Sequence, residues 1–213
     1  MRILITAGGT REYIDPVRFI SNASSGRMGY ALARAALKAG HKVTLITAPT
    51  SLRVPDGVRI VRIETAAEMF DAVKKHFAEC ACLIMAAAVA DYTPCRKSKL
   101  KIKKEQGSLT IKLKPTVDIL KWAGKHKNER RATSHGRQIV VGFALEDKNL
   151  RKNAEQKLEE KNLDMIIANN ISAIGNEKST VQIKLPCREW EIIQSSNKTS
   201  IAKRIISLIK ATT

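Results

Sequence analysis

Residues 1–40, MRILITAGGTREYIDPVRFISNASSGRMGYALARAALKAG, decide the fold. Arg2 to Thr6 is a short apolar run with two isoleucines and reads as a buried strand. Gly8 and Gly9 follow, then a long polar loop, then Ser24-Ser25-Gly26. A helix is predicted from about Arg27, with Met28, Ala31, Leu32, Ala35 and Ala36 at helical spacing and Gly40 as its stop. Lys42 to Thr47 is a β-branched second strand, which completes a βαβ unit with glycines where the first strand hands over to its helix.

Such a handover favours anions. Glycine lets a phosphate approach the backbone, and the first helical turn presents unpaired N–H groups at the positive end of its dipole. The spacing is not that of a dinucleotide fingerprint. About sixteen residues separate Gly9 from Gly26, and His41 to Ala48 contains no Asp or Glu to hold a ribose. The stretch therefore predicts nucleotide or phosphate binding of a non-standard kind. Inert glycines that only let strand and helix pack are the alternative. In the loop itself, Arg11, Arg18 and Asn22 stand among turn residues and point to ligand contact.

The strand–helix alternation continues. Val58 to Ile63 is strand three, and Thr65 with Glu68 three residues later is a capping-box start for the next helix. Leu83 to Val89 is strand four, whose Ala86, Ala87 and Ala88 leave room beside the backbone. Gln138 to Ala144 and Asp164 to Ala168 are further strands, with a charged helix from Asp147 to Lys161 between them. Val181 to Leu185 and Glu189 to Ile193 form a final hairpin before a C-terminal helix starting at Asn197 or Thr199. The fold class is α/β, a Rossmann-like, doubly wound, mainly parallel sheet. Ligands of such sheets sit beyond the carboxyl ends of the strands, so the loop around Asn22 is expected to meet Ala90-Asp91-Tyr92.

One stretch breaks the pattern. Between Cys95 and Lys114 eight residues are Lys or Arg and Glu105 alone is acidic. Alternation at Leu100, Ile102, Leu109, Ile111 and Leu113 around Gln106-Gly107 predicts a hairpin flap. It reads either as a basic edge that discourages strand pairing or as a lysine-bearing lid over polyphosphate. Asn128 to Arg137 reads as a polar loop.

The chain of 213 residues is expected to be a single domain, residues 1–213, with the flap at about 95–114. There is no run of about 18 apolar residues to span a membrane, and the first residues form a core strand instead of a leader, so a cytoplasmic protein is expected. Cysteines 80, 82, 95 and 187 form no C-x-x-C pair and read as free thiols, and the four histidines lack metal-ligand spacing. A net charge of +18 suits anionic partners: a nucleotide, a phosphorylated metabolite or nucleic acid. The interleaved aromatics of single-strand binders are lacking, which makes nucleic acid the weaker reading.

TAGGTREYIDPVRFISNASSGRMG, AAAVADYTP, KLKIKK, GFALED and KNLDMIIAN, in this order, resemble the phosphopantothenoylcysteine synthetase family of coenzyme A biosynthesis over nearly the whole chain. The resemblance implies ligation of 4′-phosphopantothenate to L-cysteine. In the bacterial type CTP activates the carboxylate as an acyl-cytidylate; the eukaryotic branch uses ATP, and the spacing around Asn22 and Lys101 is of the bacterial type. It also implies Mg²⁺ carried mainly on the nucleotide with no dedicated protein cage, and a homodimer in which one flap helps cover the other subunit's site. The family's flavin-dependent decarboxylase is often fused upstream. This chain starts at the synthetase's own first strand, so it looks like a stand-alone synthetase or an excised domain, and a separate decarboxylase is a possible partner.

By resemblance, Asn22 handles the acyl-cytidylate, Arg18 is a neighbouring active-site arginine, and Lys101 is the flap lysine of the transition state. Gly9, Ser24, Ser25 and Gly26 meet phosphate. Met85, Ala86, Ala87, Asp91, Val117, Asp118, Ile119, Leu120, Phe143, Lys157 and Lys161, with Lys101, make up the nucleotide site. The chain departs from the family pattern at Thr116-Val117-Asp118-Ile119, where the proline has moved to Pro115, and at Ala168-Asn169-Asn170, which lacks the usual carboxylate.

Overall fold

The computed structural model describes residues 1–127, 129, 137–171 and 178–212. The strands are β1 Arg2–Ala7, β2 Arg11–Tyr13, β3 Phe19–Ser21, β4 Lys42–Thr47, β5 Arg59–Arg62, β6 Cys82–Met85, β7 Tyr92–Pro94, β8 Leu113–Pro115, β9 Ile139–Glu146, β10 Met165–Asn170, β11 Lys178–Lys184 and β12 Glu191–Asn197. The helices are α1 Arg27–Lys38, α2 Ala66–Phe77, α3 Ile119–His126, α4 Leu150–Glu160 and α5 Lys198–Thr212.

Eight strands form one sheet in the order β12-β11-β10-β9-β6-β1-β4-β5. From β5 to β10 neighbouring strands run parallel; β11 and β12 are antiparallel additions. The chain starts in the middle at β1, builds outward through β4 and β5, then returns to the other side of β1 with β6. The strand order reverses between β1 and β6, which is where a doubly wound sheet opens a ligand crevice.

Both faces are covered, which explains why the strands read as nearly continuous apolar runs. Ile3, Ile5, Val43, Leu45, Cys82, Ile84, Val141 and Ile167 point to the side packed by α1 and α5. Leu4, Ile46, Leu83, Met85, Val140 and Ile166 point to the side packed by α2, α3 and α4. Successive residues of one strand alternate between the two cores, as the pleat requires.

Local chemistry sets the ends. The Thr65 hydroxyl accepts from the Glu68 amide at 3.2 Å while the Glu68 carboxylate reaches back to the Thr65 amide, the expected capping box. Buried Glu12 accepts from the Ala66 amide at 2.8 Å and adds a second anchor to the same helix start. At the amino ends of β9 and β10, buried Asp164 takes the Lys127 ammonium on both oxygens at 3.0 Å and the Val140 amide at 2.8 Å. Arg137 reaches the same carboxylate from outside.

The structure corrects four expectations. The long loop after β1 contains a small hairpin, β2 with β3, held by antiparallel pairing of Arg11 with Ser21 and Tyr13 with Phe19. The strand expected from Leu83 to Val89 stops at Met85, since the next amides turn to side chains: Ala87 N–H bonds the Thr6 hydroxyl at 3.2 Å. After the basic stretch the sequence reads as a helix from about Thr116 to His126; it starts at Ile119, because the Asp118 side chain accepts from the Lys121 amide at 2.9 Å and caps it there. Within the basic stretch no strands form at Leu100–Ile102 or Leu109–Ile111. The antiparallel ladder lies at its root, Tyr92–Pro94 against Leu113–Pro115, continued by the Cys95 amide bonding the Lys112 carbonyl at 2.9 Å. The flap is thus a two-stranded stem carrying an irregular arm, since lysines on both sides of the Gln106-Gly107 turn repel one another across any tight pairing. The segment read as the polar loop 128–137 falls largely outside the described residues.

Cys80 and Cys82 are buried, while Cys95 and Cys187 are exposed. Burial pushes the Cys80 thiol up to about 12 and raises that of Cys82 well above the ordinary value, so both stay protonated. No helix among the described residues is long and apolar enough to cross a membrane.

Gly124 sits where α3 meets the end of α4. A Cβ there would stand 1.8 Å from the Lys161 carbonyl oxygen. Gly124→Ala must push the two helices apart, and a loss of about 1–3 kcal/mol is expected. Thermal unfolding should then show a melting temperature lower by about 2–4 °C per kcal/mol for a chain of this size; an unchanged transition would contradict this packing.

Candidate active site

The carboxyl ends of β1 and β6 are tied together side by side. Gly9 and Ala88 form a parallel bridge, with the Ala88 amide on the Gly8 carbonyl at 2.8 Å. The Thr10 hydroxyl accepts from the Ala90 amide at 2.9 Å. The Thr116 hydroxyl in turn donates to the Ala90 carbonyl at 2.6 Å. These threonines hold the segment Ala86 to Asp91 open as a wall instead of letting it continue as strand.

The facing wall is the loop into α1. Asn22 donates its amide to the Val89 carbonyl at 3.0 Å. That bond fixes the carboxamide plane and leaves its oxygen and second N–H for a ligand. It also fulfils the expected meeting of the Asn22 loop with the strand-four segment, two residues short of Asp91. Gly26, at φ +73°, turns the chain into α1 in a conformation that side chains resist. No side chain caps α1 and its first turn holds no acid, so its leading N–H groups face the space in front of them.

Between these walls lies a cleft of about 620 Å³. Its lining includes Asn22, Ser24, Ser25 and Gly26 on one side, and Met85, Ala86, Ala87 and Asp91 on the other. Val117, Asp118, Ile119 and Leu120 supply the start of α3, Phe143 comes from β9, and Lys157 and Lys161 come from α4. Fifteen of the residues singled out in the sequence thus share one cavity.

Four do not line it, and of these Arg11 lies over the Phe19 ring, its guanidinium carbon 4.6 Å from the ring centre. Gly9 is buried behind the wall, where a Cβ would lie 2.7 Å from the Asn22 carbonyl oxygen; its place is in the packing under the loop. Arg18 pairs with Asp15 at 3.0 Å and donates to the Ile102 carbonyl. Lys101 is exposed on the arm next to Ile102.

The two α4 lysines are matched to acids. Lys161 is 2.7 Å from Asp118, and Lys157 is 3.5 Å from Glu146. Burial works to raise the Asp118 pKa, but the hydrogen bonds from Lys161 and the Lys121 amide, with the charges of Lys161 and Lys121, hold it below the ordinary value of 3.8. Two more cations reach the lining from helix starts, Arg27 of α1 and Lys198 of α5. Burial and the charge of Arg27 lower the Lys198 pKa. Lys198 escaped the sequence reading because only the packing of α5 against α1 brings its first residue to the cleft. Arg27 was visible within SSGRMG as the residue following a helix-start glycine. Asn169, from the segment that lacks the usual carboxylate, lines the cleft as well.

Asp118 therefore caps α3 and holds Lys161 at once. Asp118→Ala is expected to cost about 1 kcal/mol at neutral pH, the scale of a lost cap. Because the folded-state pKa is depressed, this contribution is full above 3.8 and fades as pH falls through the lower folded value. Denaturant unfolding of both proteins should show the gap closing below that pH; a gap constant down to strong acid would exclude the charged pair.

Residues 1–212 match the protein family described as DNA/pantothenate metabolism flavoprotein C-terminal domain. The chain is 42% identical over 213 residues to a protein named cysteine/cysteine sulfinic acid decarboxylase from an unknown prokaryotic organism, covering 98% of this chain and 57% of that protein. It is 47% identical over 174 residues to the coenzyme A biosynthesis bifunctional protein CoaBC of Bacillus subtilis (strain 168), covering 81% of this chain and 41% of the relative. It thus spans about half the length of the curated relatives it matches. The crystal structure of the C-terminal domain of a coenzyme A biosynthesis bifunctional protein CoaBC is similar with a TM-score of 0.83 at 38% identity, covering 99% of this chain and 94% of that one. Fold, motifs and match over residues 1–212 agree: the chain belongs to the DNA/pantothenate metabolism flavoprotein C-terminal domain family.

Proposed function

We propose that the chain is a phosphopantothenate–cysteine ligase of coenzyme A biosynthesis, working in the cytoplasm and using CTP. The observation that supports this most directly is the gathering of Asn22, the Ser24–Gly26 turn, the Met85–Ala87 strand end and the α4 lysines in one cleft at the switch point of the sheet. The family membership and the similarity to a CoaBC C-terminal domain agree with it.

In this reading the carboxylate of 4′-phosphopantothenate attacks the α-phosphorus of CTP. A C–O–P link forms, the α–β phosphoanhydride bond breaks, and pyrophosphate leaves. The amine of L-cysteine then attacks the acyl carbon, CMP departs with the bonding electrons, and the amine gives up a proton. A carboxylate is a poor acyl donor and a nucleotidyl leaving group removes that obstacle. The protein's work is positioning and charge neutralisation.

The residues divide accordingly. Asn22, its plane set by Val89, donates to an acyl or phosphoryl oxygen. The start of α1 receives phosphate. Alanine side chains at 86 and 87 let the nucleotide lie against backbone, with Phe143 beside it. Lys157 and Lys161 exchange part of their pairing with Glu146 and Asp118 for nucleotide oxygens or hydroxyls. Asp91, exposed on the wall, accepts from a base amino group or a hydroxyl. Among the described residues no three His, Cys, Asp or Glu gather into a metal site. The donors present suit a Mg²⁺ that would arrive on triphosphate oxygens, with Asp91, a carboxylate of the lining, as a protein contact, and the ion would supply charge neutralisation there. Lys101 stands outside the cleft lining, and the reading needs its side chain to reach a nucleotide, on its own subunit or across a homodimer. A separate decarboxylase would then act on the product.

Pyrophosphate release measured with 4′-phosphopantothenate, Mg²⁺ and either CTP or ATP, with and without L-cysteine, tests the proposal. CMP formation that needs cysteine and CTP is expected. Activity with ATP alone would keep the ligase and overturn the nucleotide. Carbon dioxide release from cysteine, with no pyrophosphate, would favour the activity for which one relative is named.

Two variants probe the residues. Asn22→Asp is expected to block turnover or let acyl-cytidylate accumulate, visible by chromatography of quenched reactions. Lys101→Gln should slow pyrophosphate release by more than about 100-fold, the scale of a lost transition-state charge contact. A near-normal rate in either would remove that residue from the site.

A further inference from the structure

The arm is irregular, yet its outward path is fastened at named points. Beyond the stem, the Ser98 amide bonds the Ile14 carbonyl at 2.9 Å. The Lys97 ammonium lies 4.7 Å from the centre of the Tyr13 ring. Then comes Ile102. Its amide donates to Asp15 Oδ2 at 3.2 Å, and its carbonyl accepts from Arg18. All these partners belong to the hairpin formed by β2 and β3, and Ile102 directly follows Lys101.

Asp15 is fully buried. Its Oδ1 takes the amides of Val17 and Arg18, each at 2.8 Å, which closes a turn around Pro16. Its Oδ2 takes the Ile102 amide and the Arg18 guanidinium. A buried carboxylate is costly unless every lone pair is used. Here one of its four bonds is spent on a segment 87 residues away. A turn alone needs only one oxygen, and a neutral Asn would serve it as well. Burial acts to raise the Asp15 pKa, but the three amides and Arg18 hold it below 3.8, so the group is charged at neutral pH.

We propose that Asp15, with Arg18 as its bridge, is a positioning residue that clasps the arm at Ile102 and thereby sets where Lys101 stands. The clasp holds both the N–H and the C=O of one residue, which fixes backbone rotation as well as place. Side chains just before Ile102 are then presented in one direction, while the arm beyond it is left to move. The functional half of this proposal rests on the ligase reading and on Lys101 within it. The clasp itself does not.

Asp15→Asn separates the turn from the clasp. The Asn oxygen can keep the Val17 and Arg18 amides, but its NH₂ then faces two other donors, the Ile102 amide and Arg18. Hydrogen exchange at the Ile102 amide and tryptic cleavage after Lys101 and Lys103 are expected to run about 10- to 100-fold faster in the variant, as for loss of a charge-assisted bond. A backbone ester at position 102 deletes only the N–H and leaves the buried carboxylate untouched. It should accelerate cleavage after Lys103, where the scissile bond is still an amide, to a similar extent, which keeps the test open if the Asp15 variant folds poorly.

The kinetic arm uses a double-mutant cycle. Pyrophosphate release should slow about 10- to 100-fold in Asp15→Asn, while Asp15→Asn combined with Lys101→Gln should match Lys101→Gln alone. Cleavage after Lys103 unchanged by both alterations, with exchange at Ile102 unchanged in Asp15→Asn, would overturn the clasp. Multiplying losses in the double variant would overturn the action through Lys101 and leave Asp15 a purely structural group. If Lys101→Gln alone has no effect, the role given to Lys101 under the ligase reading falls, and exchange at Ile102 decides the clasp by itself.

Discussion

Everything in the cleft depends on two adjacent parallel strands giving up their regular ladder just past their carboxyl ends while staying side by side. β1 and β6 run in register from Ile3 with Cys82 to Thr6 with Met85. They remain joined at Gly9 and Ala88 through the bridge. Between those points the Thr6 hydroxyl takes the Ala87 amide, and just beyond them the Thr10 hydroxyl takes the Ala90 amide, each of which would otherwise look for a strand partner. A buried amide must have an acceptor, so the threonines determine that the chain leaves the sheet here without a polar penalty. The result is a shelf of small side chains opposite a helix start.

The cleft is charged in a particular way. Its α4 lysines are satisfied by Asp118 and Glu146, whereas Arg27 and Lys198 reach it from helix starts that add positive dipole. A polyanion therefore meets lysines paired with acids at one end and the positive starts of α1 and α5 at the other. The paired lysines are held in place before any ligand arrives, which reduces the ordering cost when one does. The tie between α3 and α4 at Gly124, with Asn162 donating to the Gly124 carbonyl at 2.9 Å, keeps Lys161 and Asp118 at that spacing.

Much of this was legible in the sequence, for a physical reason. Strands buried on both faces, a Thr65–Glu68 cap and a glycine-rich handover are local signals, and the structure keeps each of them. Sites built at strand ends inherit that legibility, so Asn22 and Asp91 could be named before their neighbours were known, whereas Lys157 on α4 was named by resemblance alone. What could not be read depends on distant partners. The alternation of Leu100 and Ile102 imitates a strand, but the Ile102 backbone is claimed by Asp15 and Arg18 instead of a sister strand. Lys198 looks like any helix-start lysine until α5 packs on α1. Arg18 was read as a free ligand contact and is in fact engaged on both sides.

The four thiols divide along the same line as the fold. Cys80 and Cys82 are enclosed and held protonated at the start of β6, beyond the reach of an electrophile that needs thiolate. Cys95 is exposed, and its amide is the last bond of the stem before the arm departs. A thiol-directed dye on this chain reaches only Cys95 and Cys187, and with the latter replaced it marks a single place: the root of the arm. The molecule already carries a native attachment point for a spectroscopic reporter at the foot of the path that Asp15 clasps.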